Sequence, residues 1–181
     1  MPEGFAYADD TIAPAAEREL LDRFASLPFR EFEFHGFLGK RRVVSFGWRY
    51  DFNQGGLQRT EDIPAFLLPV RERAAAFARL PAEAFQQALI TEYRPGASIG
   101  WHRDRPVFGE VIGVSLAASC TLRLRRKAGA GWARASIEIA PRSAYLLAGP
   151  ARREWEHSIP AVEALRYSIT FRKFARRPEG A

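Results

Sequence analysis

His102 and Asp104 are separated by one residue, His157 follows about fifty residues on, and Arg166 and Arg172 close the series. Two neutral imidazoles and one carboxylate on a shared face can hold a redox-active iron and leave three coordination positions open for a cosubstrate and oxygen. The ion then keeps net positive charge, which favours an anionic ligand. In a strand, residues two apart point the same way, so His102 and Asp104 can act as two cis ligands from one platform. His157 is the best third ligand; the remaining histidine, His35, sits in a Phe-rich segment and reads as structural.

The stretch Leu165-Arg166-Tyr167-Ser168-Ile169-Thr170-Phe171-Arg172 repeats the even spacing. It places Arg166, Ser168, Thr170 and Arg172 on one face, with Tyr167, Ile169 and Phe171 on the other. Two guanidiniums facing a metal are costly to bury unpaired. A dicarboxylate bridging them removes that cost through charge-assisted, bidentate hydrogen bonds.

The elements that must carry these residues are legible from periodicity. Pro14 suits a first helical turn, and Leu20, Leu21, Phe24 and Leu27 follow at helical spacing. A second helix is expected from Pro64 to about Arg79, with an apolar stripe of Phe66, Leu67, Val70, Ala74 and Phe77. Between them, residues 31–34 and 42–46 read as strands, and Gly55-Gly56 as a loop. From residue 86 the texture becomes short strands at 87–93, 99–104, 110–117, 120–126, 133–139, 143–148, 155–159 and 165–173. Turn signals such as Pro95-Gly96, Arg105-Pro106, Pro141, Gly149-Pro150 and Pro160 separate them. Short strands at this spacing predict a jelly roll. The expected class is α+β, mainly β, with a double-stranded β-helix core braced by two N-terminal helices.

Bulk properties agree with a packed globule. The chain has 181 residues, 47% hydrophobic, with 14 Phe, 4 Trp and 5 Tyr, which excludes disorder and suits one domain. Its single cysteine, Cys120, excludes an internal disulfide framework, and its apolar setting suggests an inert buried thiol. The N-terminus lacks a signal pattern, and the longest mostly apolar run, 111–122, is too short to span a bilayer. The expectation is a cytoplasmic monomer without membrane association. Residues 1–119 carry 14 Lys and Arg against 16 Asp and Glu, whereas residues 120–181 carry 13 against 5. That basic C-terminal third could attract phosphate backbones. The last residues, 176–181, read as a loose tail.

Together these residues resemble the AlkB-like family of Fe(II)- and 2-oxoglutarate-dependent dioxygenases. The likeness runs from about Thr91 to Arg172 and rests on Tyr93-Arg94-Pro95-Gly96, His102-Arg103-Asp104, Val114-Ser115-Leu116, His157 and the 166–172 run. It implies that His102, Asp104 and His157 bind Fe(II). It also implies that Tyr93 and Arg166 hold the distal carboxylate of 2-oxoglutarate and Arg172 the end near the metal, with O2 as oxidant. Thr91 and Ser168 stand where the family has asparagines near the cosubstrate; they can still hydrogen-bond there.

The resemblance further implies oxidative demethylation of N-alkylated nucleobases, and so a partner that is alkylated single-stranded nucleic acid. The alternative is hydroxylation or demethylation of a protein side chain or a small metabolite. Arg42-Val43-Val44-Ser45-Phe46-Gly47-Trp48-Arg49-Tyr50 looks like the family's substrate lid. There Trp48 or Tyr50 would stack on a flipped base while Arg41, Arg42 or Arg49 meets phosphate. Repair members often carry an acid two places beyond the metal aspartate, where this chain has Pro106. The expected organisation is one domain over 1–181, with helices and lid strands in 1–85 and the jelly-roll core in 86–175.

Overall fold

Alternation along the last strand divides the molecule into layers. In the computed structural model, which describes residues 1–34, 37–50 and 55–175, that strand is β13 (Arg166–Phe174). Its Ile169 and Phe171 are fully buried on one side, in a cluster with Leu20 and Phe24 from helix α1 (Pro14–Phe24) and Val70 and Ala74 from helix α2 (Leu68–Ala78). Each of the larger side chains removed from water, Ala74 aside, contributes ~1.5–3 kcal/mol. Arg166 and Ser168 emerge on the opposite side, as the even spacing predicts.

The strands preceding β13 are β1 (Phe5–Ala8), β2 (Arg30–Phe34), β3 (Phe37–Phe46), β4 (Trp48–Tyr50), β5 (Leu57–Arg59), β6 (Phe85–Tyr93), β7 (Ile99–His102), β8 (Phe108–Leu116), β9 (Cys120–Ala128), β10 (Gly131–Ile139), β11 (Ala144–Leu147) and β12 (Glu156–Ile159). A short helix, α3 (Gly149–Arg153), lies between β11 and β12. The large sheet has the order β1-β11-β8-β13-β6-β3-β2, the small one β10-β9-β12-β7, and β4 pairs with β5. Within them β6 to β13 form two facing sets, β11-β8-β13-β6 and β10-β9-β12-β7, the strand order of a jelly roll. A second core joins the sheets: Tyr93, Val111, Tyr145 and Leu147 from the large sheet meet Leu122, Leu124, Ile139 and Ile159 from the small one.

A close approach inside this core demands a glycine. Gly113 on β8 lies opposite Tyr145 on β11, and a Cβ at position 113 would come within 2.3 Å of the tyrosine ring. The phenol ring therefore fills space that any other residue at 113 would need.

Three expectations require correction. The strand expected over 99–104 ends at His102, so Asp104 stands in the loop that follows and its direction is not set by strand alternation. Its partner β12 begins at Glu156, one residue before the His157 that faces His102, so the ladder has almost no strand left to pair with. Gly149-Pro150 is not a simple turn between strands: Pro150 occupies the first helical turn of α3, and Gly149 takes φ +48 at its start. The first helix stops at Phe24, and Leu27 packs beyond it in a turn. The short strands β1, β4 and β5 carry too few alternating residues to be visible in the sequence. His35 and the tail from 176 lie outside the described residues.

Candidate active site

The pairing of β7 with β12 sets His102 directly opposite His157. Their rings are 4.2 Å apart, centroid to centroid. Nδ1 of His102 lies 2.9 Å from the carbonyl oxygen of Gly100; a carbonyl only accepts, so the proton belongs on Nδ1 and Nε2 keeps its lone pair. Burial, and then the neighbouring His102, push the His157 imidazole down to about 3. His157 can thus offer a neutral nitrogen at physiological pH, as a metal ligand must.

Asp104 approaches from the loop after β7. Its side chain is 10% exposed, and Oδ1 accepts a hydrogen bond from Nη2 of Arg172 at 3.1 Å. Burial alone would raise this carboxyl, but Arg172, His157, His102 and Arg152 together hold it below the usual carboxylate range. It is therefore ionised and surrounded by the two imidazoles and two guanidiniums. Among the described residues, no group of three His, Cys, Asp or Glu side chains is already drawn close enough to enclose an ion.

Arg166 is the largest fully buried side chain, at 0% exposure. Its Nε donates to the Ser115 hydroxyl at 3.1 Å, and its guanidinium lies 4.8 Å from the centre of the Tyr93 ring, directly across the sheet. Nη1 and Nη2 have no partner. Buried donors are almost always satisfied, so a guanidinium with two orphaned nitrogens marks a place for an anion. Ser168 is buried in a row with Thr91 and Ser115, between Arg166 and the end of β13 that carries Arg172. Arg172 donates from Nη1 to Gln87 at 3.2 Å, and its Nε is also without a partner.

Tyr93, His102, Asp104, His157, Arg172 and Tyr50 are among the residues lining a cavity of about 1630 Å3, whereas Arg166 and Ser168 lie outside that lining. Ordinary ligand pockets run to about 1,000 Å3 at most, so this one has room for a small dianion and a second substrate. The lid residues divide. Tyr50 lines the cavity, with the Arg105 guanidinium 4.9 Å over its ring, and Arg41 and Arg49 also line it. Arg42 instead makes a bidentate ion pair with Glu92, both contacts 2.8 Å, outside the cavity lining. Trp48 packs edge-on against Phe174 at 5.6 Å and also lies outside that lining. Arg42 and Trp48, expected to meet substrate, are thus engaged by Glu92 and Phe174 rather than lining the cavity.

Arg152, on α3, was not singled out by the sequence. Buried to 7% exposure, it donates to the carbonyls of Gly109 at 2.9 Å and of Arg105 and Phe108 at 2.7 Å each. It thereby fastens the loop that follows Asp104. Gln87 is a second missed residue: it accepts from Arg172 and donates to the Trp48 carbonyl at 2.9 Å, linking β13 to β4.

The sequence profile of the 2OG-Fe(II) oxygenase superfamily matches residues 11–172, most of the chain. The chain belongs to that superfamily. Its members use Fe(II), 2-oxoglutarate and O2. Over 147 residues it is 27% identical to an Arabidopsis thaliana protein named Alkylated DNA repair protein ALKBH8 homolog, covering 68% of this chain and 42% of that protein. The chain thus spans less than half the length of that relative. The solved structure of OsALKBH1 superposes with a TM-score of 0.72 at 13% identity, covering 96% of this chain and 98% of the other. That likeness establishes the jelly-roll fold.

The donor set fits the cofactors of the superfamily. Two facing imidazoles and an ionised carboxylate suit Fe(II), and a buried, half-satisfied arginine suits one carboxylate of a keto-diacid. No helix among the described residues is long and apolar enough to cross a membrane.

Proposed function

We propose that the chain is an Fe(II)- and 2-oxoglutarate-dependent dioxygenase that removes alkyl groups from N-alkylated bases in single-stranded nucleic acid. The observation that carries the chemistry is the pair of orphaned Arg166 nitrogens, on the strand whose Arg172 bonds Asp104. His102, Asp104 and His157 would hold Fe(II). Arg166 would take the distal carboxylate of 2-oxoglutarate, with Tyr93 and Ser168 beside it, and Arg172 would steady both Asp104 and the opposite end of the cosubstrate. Bound Fe(II), with 2-oxoglutarate and O2, supplies a two-electron oxidation of a C–H bond, and 2-oxoglutarate leaves as succinate and carbon dioxide.

The chain's own residues do the rest. The inter-sheet core keeps bulk water from the cosubstrate end, while Gln87 couples Arg172 to β4. Tyr50 on the cavity wall offers a ring against which a base can lie, with Arg105 on the ring and Arg49 nearby for phosphate. An oxidised N-methyl carbon then separates as formaldehyde, leaving the free amine. The name of the Arabidopsis relative and the basic 120–181 segment support a nucleic-acid substrate. The protein is read as a cytoplasmic monomer.

A second reading keeps the chemistry and changes the substrate to a protein side chain or a metabolite. The observation favouring it is Pro106, which puts no carboxylate where repair members aim one at the base. The test is reconstitution with Fe(II) and 2-oxoglutarate on single strands bearing 1-methyladenine or 3-methylcytosine. Stoichiometric formaldehyde, succinate and repaired base are expected. Succinate released without loss of the methyl group from any DNA or RNA strand would overturn the substrate assignment and favour the second reading.

A further inference from the structure

The outer face of the small sheet carries a stack of cations and indoles that the cavity chemistry leaves unexplained. Alternation turns Leu122 and Leu124 of β9 into the core, so Arg123, Arg125 and Lys127 point away from it, across from Ser136, Arg134 and Trp132 of β10. The Arg125 guanidinium is held between two rings, 4.4 Å from the centre of Trp101 and 4.3 Å from that of Trp132. Arg123 lies 5.1 Å over Trp101, and the Lys127 ammonium 4.7 Å over Trp132. Arg125 is ion-paired to Glu156 at 2.6 Å. Lys127 and Arg134 are exposed, and Arg134 makes no ion pair with any described residue. Trp101 belongs both to this stack and to the cavity wall.

We propose that this face is the track for the strand flanking the target base; the proposal rests on the nucleic-acid reading above. A single strand leaving the cavity past Trp101 meets half-buried indoles held in place by Arg125, then exposed cations. Bases stack on aromatic faces regardless of their identity, and phosphates meet the cations. A sheet of four strands is roughly 14 Å across, so the track engages several nucleotides beyond the target. A phosphodiester chain fits the charge of the face, because Arg123, Arg125, Lys127 and Arg134 outnumber Glu138 and Glu156 there.

The test compares fluorescence anisotropy of 3-methylcytosine strands of about 3 and 15 nucleotides, with full-length protein carrying Mn(II) and 2-oxoglutarate. The longer strand is expected to bind about tenfold more tightly than the trinucleotide. Lys127→Glu with Arg134→Glu, and separately Trp132→Ala, should remove most of that advantage while changing the trinucleotide affinity less than about twofold. The double variant should also flatten the slope of log affinity against log salt by about 1.4, the release expected for two phosphate contacts on a single strand. Arg18→Glu with Arg73→Glu makes the same charge change on exposed helix positions and should leave the advantage intact. Two results overturn the track: long-strand affinity unaltered in the variants, or an equal loss in the helix control, which would mean diffuse charge. If the wild-type protein binds neither strand, the nucleic-acid reading falls as well, so the two failures are distinguishable.

Discussion

Arg166 shows how one side chain can report a missing ligand. Its stem is packed, its Nε is satisfied by Ser115, and its two remaining nitrogens are sealed from water without partners. A charge in that state is tolerable only when an anion completes it. Arg166→Lys keeps the charge but loses the planar fork. It is expected to weaken 2-oxoglutarate binding about 100-fold, in line with the 2–5 kcal/mol lost when a buried charge pair is broken. Mn(II) affinity measured without 2-oxoglutarate should change by less than about threefold; calorimetric titration of each ligand separates the two. This residue was legible in the sequence because alternation alone puts Arg166 on the face of Ser168 and Arg172. Arg152 was not, since its partners are backbone carbonyls more than forty residues away, and no side-chain pattern records them.

At the scale of elements, the site is assembled from one strand pair and one loop. β7 and β12 deliver the two histidines in register, which explains why the positions of His102 and His157 could be read from strand spacing. Asp104 depends on the loop instead, and that loop depends on α3 through Arg152. Arg152→Met would take this donor from the buried Phe108 carbonyl and the part-buried Gly109 carbonyl, each costing about 1–3 kcal/mol unless water reaches it, while the Arg105 carbonyl keeps the Phe108 N–H. The expected outcome is a Tm lower by about 5–10 °C, with metal affinity reduced about tenfold and partly restored by Arg152→Lys. Unchanged metal affinity alongside a lowered Tm would show that α3 supports the fold without aiming Asp104. The lid was legible only as a location: sequence marked 42–50, but strand register decides that Arg42 faces Glu92 and that Tyr50 reaches the cavity.

Across the whole molecule, Glu92 is the fastening that spans the large sheet. On β6 and 6% exposed, it binds Arg42 of β3, Arg94 at 3.0 Å and the Tyr167 hydroxyl of β13 at 3.1 Å. The hydrogen bond from Arg42 outweighs burial and holds its carboxyl below the ordinary 4.5. A depressed folded value contributes stability above the unfolded value and loses it as pH falls through the folded one. Glu92→Gln should therefore cost about 2 kcal/mol at pH 7, allowing for the partial exposure of Arg42. That deficit should shrink as thermal melts are repeated from pH 5 down towards pH 3; a deficit constant with pH would mean the carboxylate's charge is not what matters. The layered architecture was readable because helical and strand periods alternate cleanly along the chain, whereas the clasp that joins β3, β6 and β13 depends on non-local register. The central claim is that one divalent ion and one keto-diacid share the space between the sheets. Calorimetric titration of 2-oxoglutarate with and without Mn(II), on the wild type and on Asp104→Ala, tests it most directly. The account predicts one 2-oxoglutarate per chain, bound about tenfold or more tightly with Mn(II) in the wild type and without that gain in Asp104→Ala. Binding that ignores Mn(II), or a gain that survives the loss of Asp104, would contradict it.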